Sequence, residues 1–153
     1  MMKVWLLMVA FLAANKDVIK DAYPEEQARI THILQDIAAA AQKRDINRVE
    51  SFHLYTPKFS KFDDDGAGRQ DAQAGKQGER EWLTSVKSVT LKFENVKVDV
   101  FGPAAVATST LVYEMDTGKE KLSGRARSTI VFAKDGDTWK IVHEHHSPYK
   151  ATP

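Results

Sequence analysis

The chain has no cysteine, so disulfides, thiolate nucleophiles and cysteine-held zinc or iron–sulfur clusters play no part in what it does. It also lacks a glycine-rich phosphate loop, a G-x-S-x-G nucleophile elbow, an H-E-x-x-H zinc helix and an EF-hand loop. Charge of one sign is missing as well. Lysine and arginine number 22 against 21 acidic residues, and a net charge of +1 offers no general attraction to a nucleic-acid backbone. No apolar run reaches the roughly 20 residues that span a bilayer, so stable membrane insertion is not expected. The longest run, Val4 to Ala14 behind Lys3, reads in two ways. It is either the core of a cleaved secretory signal, which would make the protein secreted or periplasmic, or an extra apolar helical turn or two on a cytoplasmic domain.

What is present fits one domain. A chain of 153 residues buries roughly two thirds of its unfolded surface, enough for a hydrophobic core. Residues 1–23 form the apolar run plus a polar joint, and the domain proper is expected over 24–150. Pro24 stands where a helix can begin, with Glu25 and Glu26 in the first turn, where negative charge is favoured. Ile30, Ile33, Leu34, Ile37 and Ala41 then recur at helical spacing to about Lys43. Asp45 caps a short second helix carrying Ile46, Val49 and Phe52. The polar, glycine-containing stretch from Asp63 to Gly78 reads as a loop, and a short third helix over Glu79 to Val86 carries Trp82 and Leu83 toward the core.

After that helix the period changes from helical to two. Val89, Leu91 and Phe93 alternate with polar residues, and Val96, Val98 and Val100 resume the alternation in the opposite parity. The phase change predicts a bulge near Asn95. Strands follow over Ala104 to Met115, Leu122 to Ala133 and Trp139 to His146, joined by turns containing Thr117-Gly118 and Asp135-Gly136. Helices first and an antiparallel meander second make an α+β domain.

The segment Ser123-Gly124-Arg125-Ala126-Arg127-Ser128-Thr129-Ile130-Val131-Phe132-Ala133-Lys134-Asp135-Gly136, with Trp139-Lys140-Ile141-Val142-His143-Glu144-His145-His146-Ser147, resembles the closing hairpin of SnoaL-like proteins in the nuclear-transport-factor-2-like superfamily. Lys43 to Val49 and Tyr55 to Phe59 resemble that family's second helix and the approach to its first strand. The resemblance covers roughly Glu25 to Tyr149. It implies a ketosteroid-isomerase-like, cone-like α+β fold in which a strongly curved antiparallel sheet packs against three helices and leaves a pocket open at one end. A homodimer is what most members of the family would supply. Members run from isomerases, cyclases and dehydratases to assembly domains, so the fold leaves function open.

Period two on the last strand places Trp139, Ile141, His143 and His145 on one face. Two histidines so placed could share a ligand or move protons, and they could equally fasten the strand by structural hydrogen bonds. The steroid-isomerase branch implies that Asp63 is a carboxylate base at the pocket mouth, with His143 orienting a carbonyl or returning the proton. A solvated acidic loop is the alternative for Asp63. Tyr55 and Tyr113 are candidate oxyanion donors, and Trp82 and His145 are candidate ligand contacts. Arg125, sharing a strand face with Arg127, could bind an acidic group or simply solvate that face. The functional expectation is binding of a hydrophobic or carbonyl-containing small molecule in a single cavity, with isomerase, cyclase or lyase chemistry by acid–base catalysis. No metal and no cofactor are expected. The alternative is a noncatalytic homodimeric binding or assembly module.

Overall fold

The computed structural model describes residues 17–63 and 68–149. The apolar run from Val4 to Ala14 lies outside the described residues. Helix α1 (Pro24–Gln42) starts as the sequence predicts, with Pro24 in its first turn beside Glu25 and Glu26. Ile30, Leu34, Ile37, Ala40 and Ala41 form its buried stripe. Helix α2 (Ile46–Ser51) is capped by Asp45, whose carboxylate accepts from the Arg48 amide at 3.0 Å. Strand β1 (Ser60–Phe62) is short. Helix α3 (Ala72–Ser85) begins well before Glu79, capped by Asp71 on the Ala74 amide at 3.0 Å. The expected loop to Gly78 is therefore corrected to helix from Ala72 onward. Its first turns bury small residues, which leave no apolar period to read: a Cβ on Gly75 would lie 2.8 Å from the Phe59 ring.

Four long strands follow: β2 (Ser88–Phe101), β3 (Ala104–Asp116), β4 (Lys121–Asp135) and β5 (Thr138–Pro148). Their limits lie within two residues of those read from the alternation, and Gly118 and Gly136 supply the positive φ that their turns need. Strand order is β1-β5-β4-β3-β2, with β1 parallel to β5 and every other pair antiparallel. The helices cover one face, α1 lying against β2 and α3 near β1, and the core between them centres on Phe132, Ile30, Leu34, Ile130 and Ile141. Among the described residues no helix is long and apolar enough to cross a membrane.

The expected cone-like, strongly curved antiparallel sheet is corrected here. The sheet is mixed and open, neither strongly curled nor closed, with β1 and β2 at its opposite edges and Lys61 of β1 bridged to Gln70. The bulge predicted near Asn95 is present as a register shift between Glu94 and Lys97, with Asn95 at φ 52°. A bulge bends one strand pair locally; it does not close a sheet. A second shift falls between Val131 and Phe132, where β4 pairs with His143 and then Ile141, so that Val142 is the extra residue.

Candidate functional site

That second bulge decides which side chains of β5 face the helices. Trp139 and Ile141 point inward and are buried, and beyond Val142 the parity flips, so Glu144 points inward with His146 two residues on. His143 and His145 therefore lie on the opposite face. This corrects the placement of both with Trp139 and Ile141, since period two holds only where no residue is inserted. Parallel pairing with β1 completes the arrangement: Lys61 sits beside Glu144, while Ser60 and Phe62 sit beside His143 and His145. On the outer side Ser60 Oγ and His143 Nδ1 are 2.8 Å apart, and the Phe62 ring packs against both histidine rings.

Between the inner sheet face and helices α1 and α3 lies a cavity of about 440 Å³. One part of its lining is apolar, with Ile37, Leu91, Phe93, Leu111, Met115 and Ala126 beside Trp82 and Tyr113. The other part is ionisable, with His53, Lys61, Asp63, Glu79, Glu144 and His146. Three helical or loop segments and two strands supply that end. His53 follows α2 and is fixed by a bridge to Ile141, and Glu79 lies on the buried stripe of α3 with Gly75 and Leu83.

The centre of the ionisable end is a square of alternating charge. His53 Nε2 lies 3.3 Å from Glu79 Oε1 and 3.4 Å from Glu144 Oε2. Lys61 Nζ bridges the same two oxygens at 3.0 and 3.3 Å. Around it, Lys61 also reaches Asp63 Oδ1 at 3.5 Å, Tyr55 donates to Glu79 Oε2 at 2.9 Å, and Gln70 donates to Asp63 Oδ2 at 3.0 Å. His146 Nε2 stands 4.0 Å from Glu144 Oε1.

The protonation of the square follows from its geometry. His53 Nδ1 lies 3.0 Å from the Val49 carbonyl, which can only accept, so Nδ1 carries a hydrogen. Nε2 faces two carboxylates, whose charge favours the protonated ring. Burial alone would lower the pKa of His53, but Glu144, Glu79 and the Val49 carbonyl outweigh it and raise the value. Lys61 behaves likewise: burial opposes its charge, and Glu144, Glu79 and Asp63 hold its pKa above the ordinary lysine range. Burial also works against Glu144, yet Lys61 and His53 keep its pKa well below the usual carboxylate value. In Glu79 burial prevails over Lys61 and His53, so its pKa is raised and it is the first of the two to take a proton as pH falls. The Tyr55 phenol is pushed up by burial and by the Glu79 charge and stays a donor.

His53, Glu79 and Glu144 bring ligand atoms within 4.8 Å of one another, a spacing that could hold a metal ion. The ammonium of Lys61 already bridges the two carboxylates, so the cluster carries its own cations.

Of the residues singled out in the sequence, Asp63, Trp82 and Tyr113 line the cavity. Tyr55 lies behind it, stacked on His53 with ring centres 5.1 Å apart. Arg125 is on the outer face, bound to Glu94 at 3.0 Å and packed near Tyr149. His143 and His145 are outside, so Asp63 and His143 do not share a cavity. His53, Lys61, Glu79, Glu144 and His146 were not singled out. For Lys61 a signal existed, because Phe59, Lys61 and Asp63 share one parity; for Glu144 and His146 the bulge hid it.

A profile of the SnoaL-like domain family matches residues 30–151. Among solved structures the chain is similar to a protein from Streptomyces avermitilis proposed to be a dehydratase of the NTF2-like family, at 19% identity and a TM-score of 0.76, covering 84% of this chain and 99% of that one. An NTF2-like superfamily protein from Salmonella enterica serovar Typhimurium matches at 20% identity and a TM-score of 0.73, covering 84% and 95%. A protein from Novosphingobium aromaticivorans proposed to be a scytalone dehydratase matches at 14% identity and a TM-score of 0.69, covering 86% and 93%. No curated protein sequence matches the chain.

Proposed function

The chain belongs to the SnoaL-like family of the NTF2-like superfamily, and from that premise we propose that it binds one small, largely apolar molecule in the cavity and acts on it by proton transfer without a bound cofactor. The observation that carries this reading is the two-part lining. A volume of about 440 Å³ lies within the range of small-molecule sites, and apolar walls facing a few convergent polar groups are what such sites use.

Asp63 is the group best placed to act as base. It lines the cavity, it is the least buried of the three carboxylates there, and Gln70 and Lys61 fix its orientation. Tyr113 lines the apolar part of the cavity and His146 the ionisable part, and either can hand a proton to a leaving or developing oxygen. Two of the similar structures are proposed dehydratases, and loss of water needs only these parts. The base takes a proton from carbon, the electron pair forms a double bond, and the departing hydroxyl leaves as water with a proton from the acid. Glu79 and Glu144 take no direct part: their oxygens already meet His53, Lys61 and Tyr55, which hold the site's electrostatics fixed.

The test is a panel of bicyclic alcohols and ketones, scored first for binding by calorimetry and then for turnover. Asp63→Asn is expected to keep binding of these uncharged compounds and lose turnover. Turnover that survives Asp63→Asn would exclude Asp63 as base, and absence of binding by every compound of suitable size would remove the reading.

A further inference from the structure

The charge of the cavity constrains what enters it. Its described lining holds three carboxylates, Asp63, Glu79 and Glu144, and Lys61 is the one lysine or arginine there. All three carboxylates lie within 3.5 Å of that single ammonium, which hydrogen-bonds Glu79 Oε1. His53 is the second cation, and it is shared between Glu79 and Glu144. The remaining ionisable group of the lining, His146, stands 4.0 Å from Glu144 Oε1, so the cations gather around Glu79 and Glu144. Glu79 and Glu144 meet both cations and their side chains are 8% exposed, whereas Asp63 meets only Lys61, at the longest of the three distances, and is 32% exposed. Asp63 is therefore the least compensated of the three carboxylates, at the accessible side of the ionisable end.

The guanidinium groups that could reverse this balance are elsewhere. Arg125 and Arg127 pack around Tyr149 on the outer face, and Arg125 is already paired with Glu94. A carboxylate or phosphate entering the cavity would lose its hydration and find no unshared cation, beside a carboxylate of like charge. An ammonium group would find a partner in Asp63, and the rings of Trp82, Phe93 and Tyr113 line the same space.

We propose that the molecule bound in this cavity is a hydrophobic amine, its apolar body against the inner face of β2, β3 and β4 and its ammonium beside Asp63. This rests on the reading of the cavity as a small-molecule site and names the class of molecule that site takes.

Three probes with one apolar body separate the two claims: naphthylethylamine, naphthylethanol and naphthylacetate, titrated calorimetrically into the full chain at about pH 8, where a free ammonium and a free carboxylate are both ionised. The amine is expected to bind about tenfold more tightly than the alcohol, and the acid more weakly than either. Asp63→Asn should bring the amine down to the alcohol's affinity and leave the alcohol unchanged. On the wild-type chain the amine's advantage should shrink as salt is raised. An alcohol that binds as well as the amine, or an acid that binds best, would overturn the amine assignment while the cavity still counts as a binding site. Failure of all three to bind would overturn both.

Discussion

A buried ammonium costs several kcal/mol unless it is paired, and Lys61 hydrogen-bonds Glu79 and forms ion pairs with Glu144 and Asp63. Removing it leaves His53 as the one cation that Glu79 and Glu144 share. Lys61→Met is therefore expected to destabilise the fold by about 3–5 kcal/mol, read as a lower urea midpoint, and adding Glu144→Gln should recover a large part of the loss. A loss below about 1 kcal/mol would mean that the square contributes little. The pH dependence has a definite sign at each end. His53 has a raised pKa, so its contribution is whole below about 6.5 and is lost as pH rises through its folded value. Glu144 has a lowered pKa, so its contribution is whole above its unfolded value and is lost as pH falls through the folded one. Glu79, with its pKa raised, works against stability as it ionises. Urea midpoints across pH should fall on the alkaline side for the wild type and lose that slope in His53→Gln. An unchanged slope would remove the imidazolium from the account.

At the scale of single elements, small residues matter by what they let approach. Gly75 lies in α3 against Phe59, which is 3% exposed and has no room to retreat. An alanine there gains about 1 kcal/mol of helix propensity, but the Cβ at 2.8 Å forces an overpacking cost of about 1–3 kcal/mol. Gly75→Ala is expected to lower the thermal midpoint, and a raised midpoint would show that Phe59 can move. Gly124 is a different case. A Cβ there would meet the hydroxyl and Cζ of Tyr113, the far end of a side chain that lines the cavity. Gly124→Ala should therefore leave stability nearly unchanged and alter ligand affinity instead, which paired unfolding and binding titrations would separate.

The elements also show which signals a sequence carries. Strands β2 to β5 were readable because alternation runs through each of them, and the Asn95 bulge was readable because alternation changes phase there. Val142 leaves no such mark, because Ile141-Val142-His143 looks regular whether or not a residue is inserted. One unseen bulge thus exchanged His143 and His145 for Glu144 and His146 in the site. Glu79 was hidden differently, by a helix whose buried stripe is Gly75, Glu79 and Leu83, with a single apolar side chain to mark it. Asp63 was named through the family resemblance, and Trp82 and Tyr113 lie in a helix and a strand that the sequence pattern located.

For the whole molecule, the resemblance identified the family, while the curvature it implied exceeds what the open five-stranded sheet has. The outer face of that sheet exposes Lys92, Thr108, Arg125, Arg127 and His145, with Val112, Val131 and Val142 half-buried among them. It is less apolar than a tight dimer interface needs, so pairing of two copies through it is a proposal for sedimentation equilibrium to decide. A monomer over the accessible concentration range would remove it. The central claim is that a small molecule sits between the inner sheet face and the helices. Ala126 lies on that floor, 2% exposed, and Ala126→Leu should fill part of the space while the fold persists. The direct measurement is the thermal midpoint of wild type and Ala126→Leu, with and without naphthylethylamine at about 100 times its dissociation constant. Site-bound ligand stabilises the wild type by about 2.7 kcal/mol, a rise of several degrees, and the filled variant should show little or none of it. An equal rise in both proteins would place the ligand somewhere other than this cavity and contradict the account.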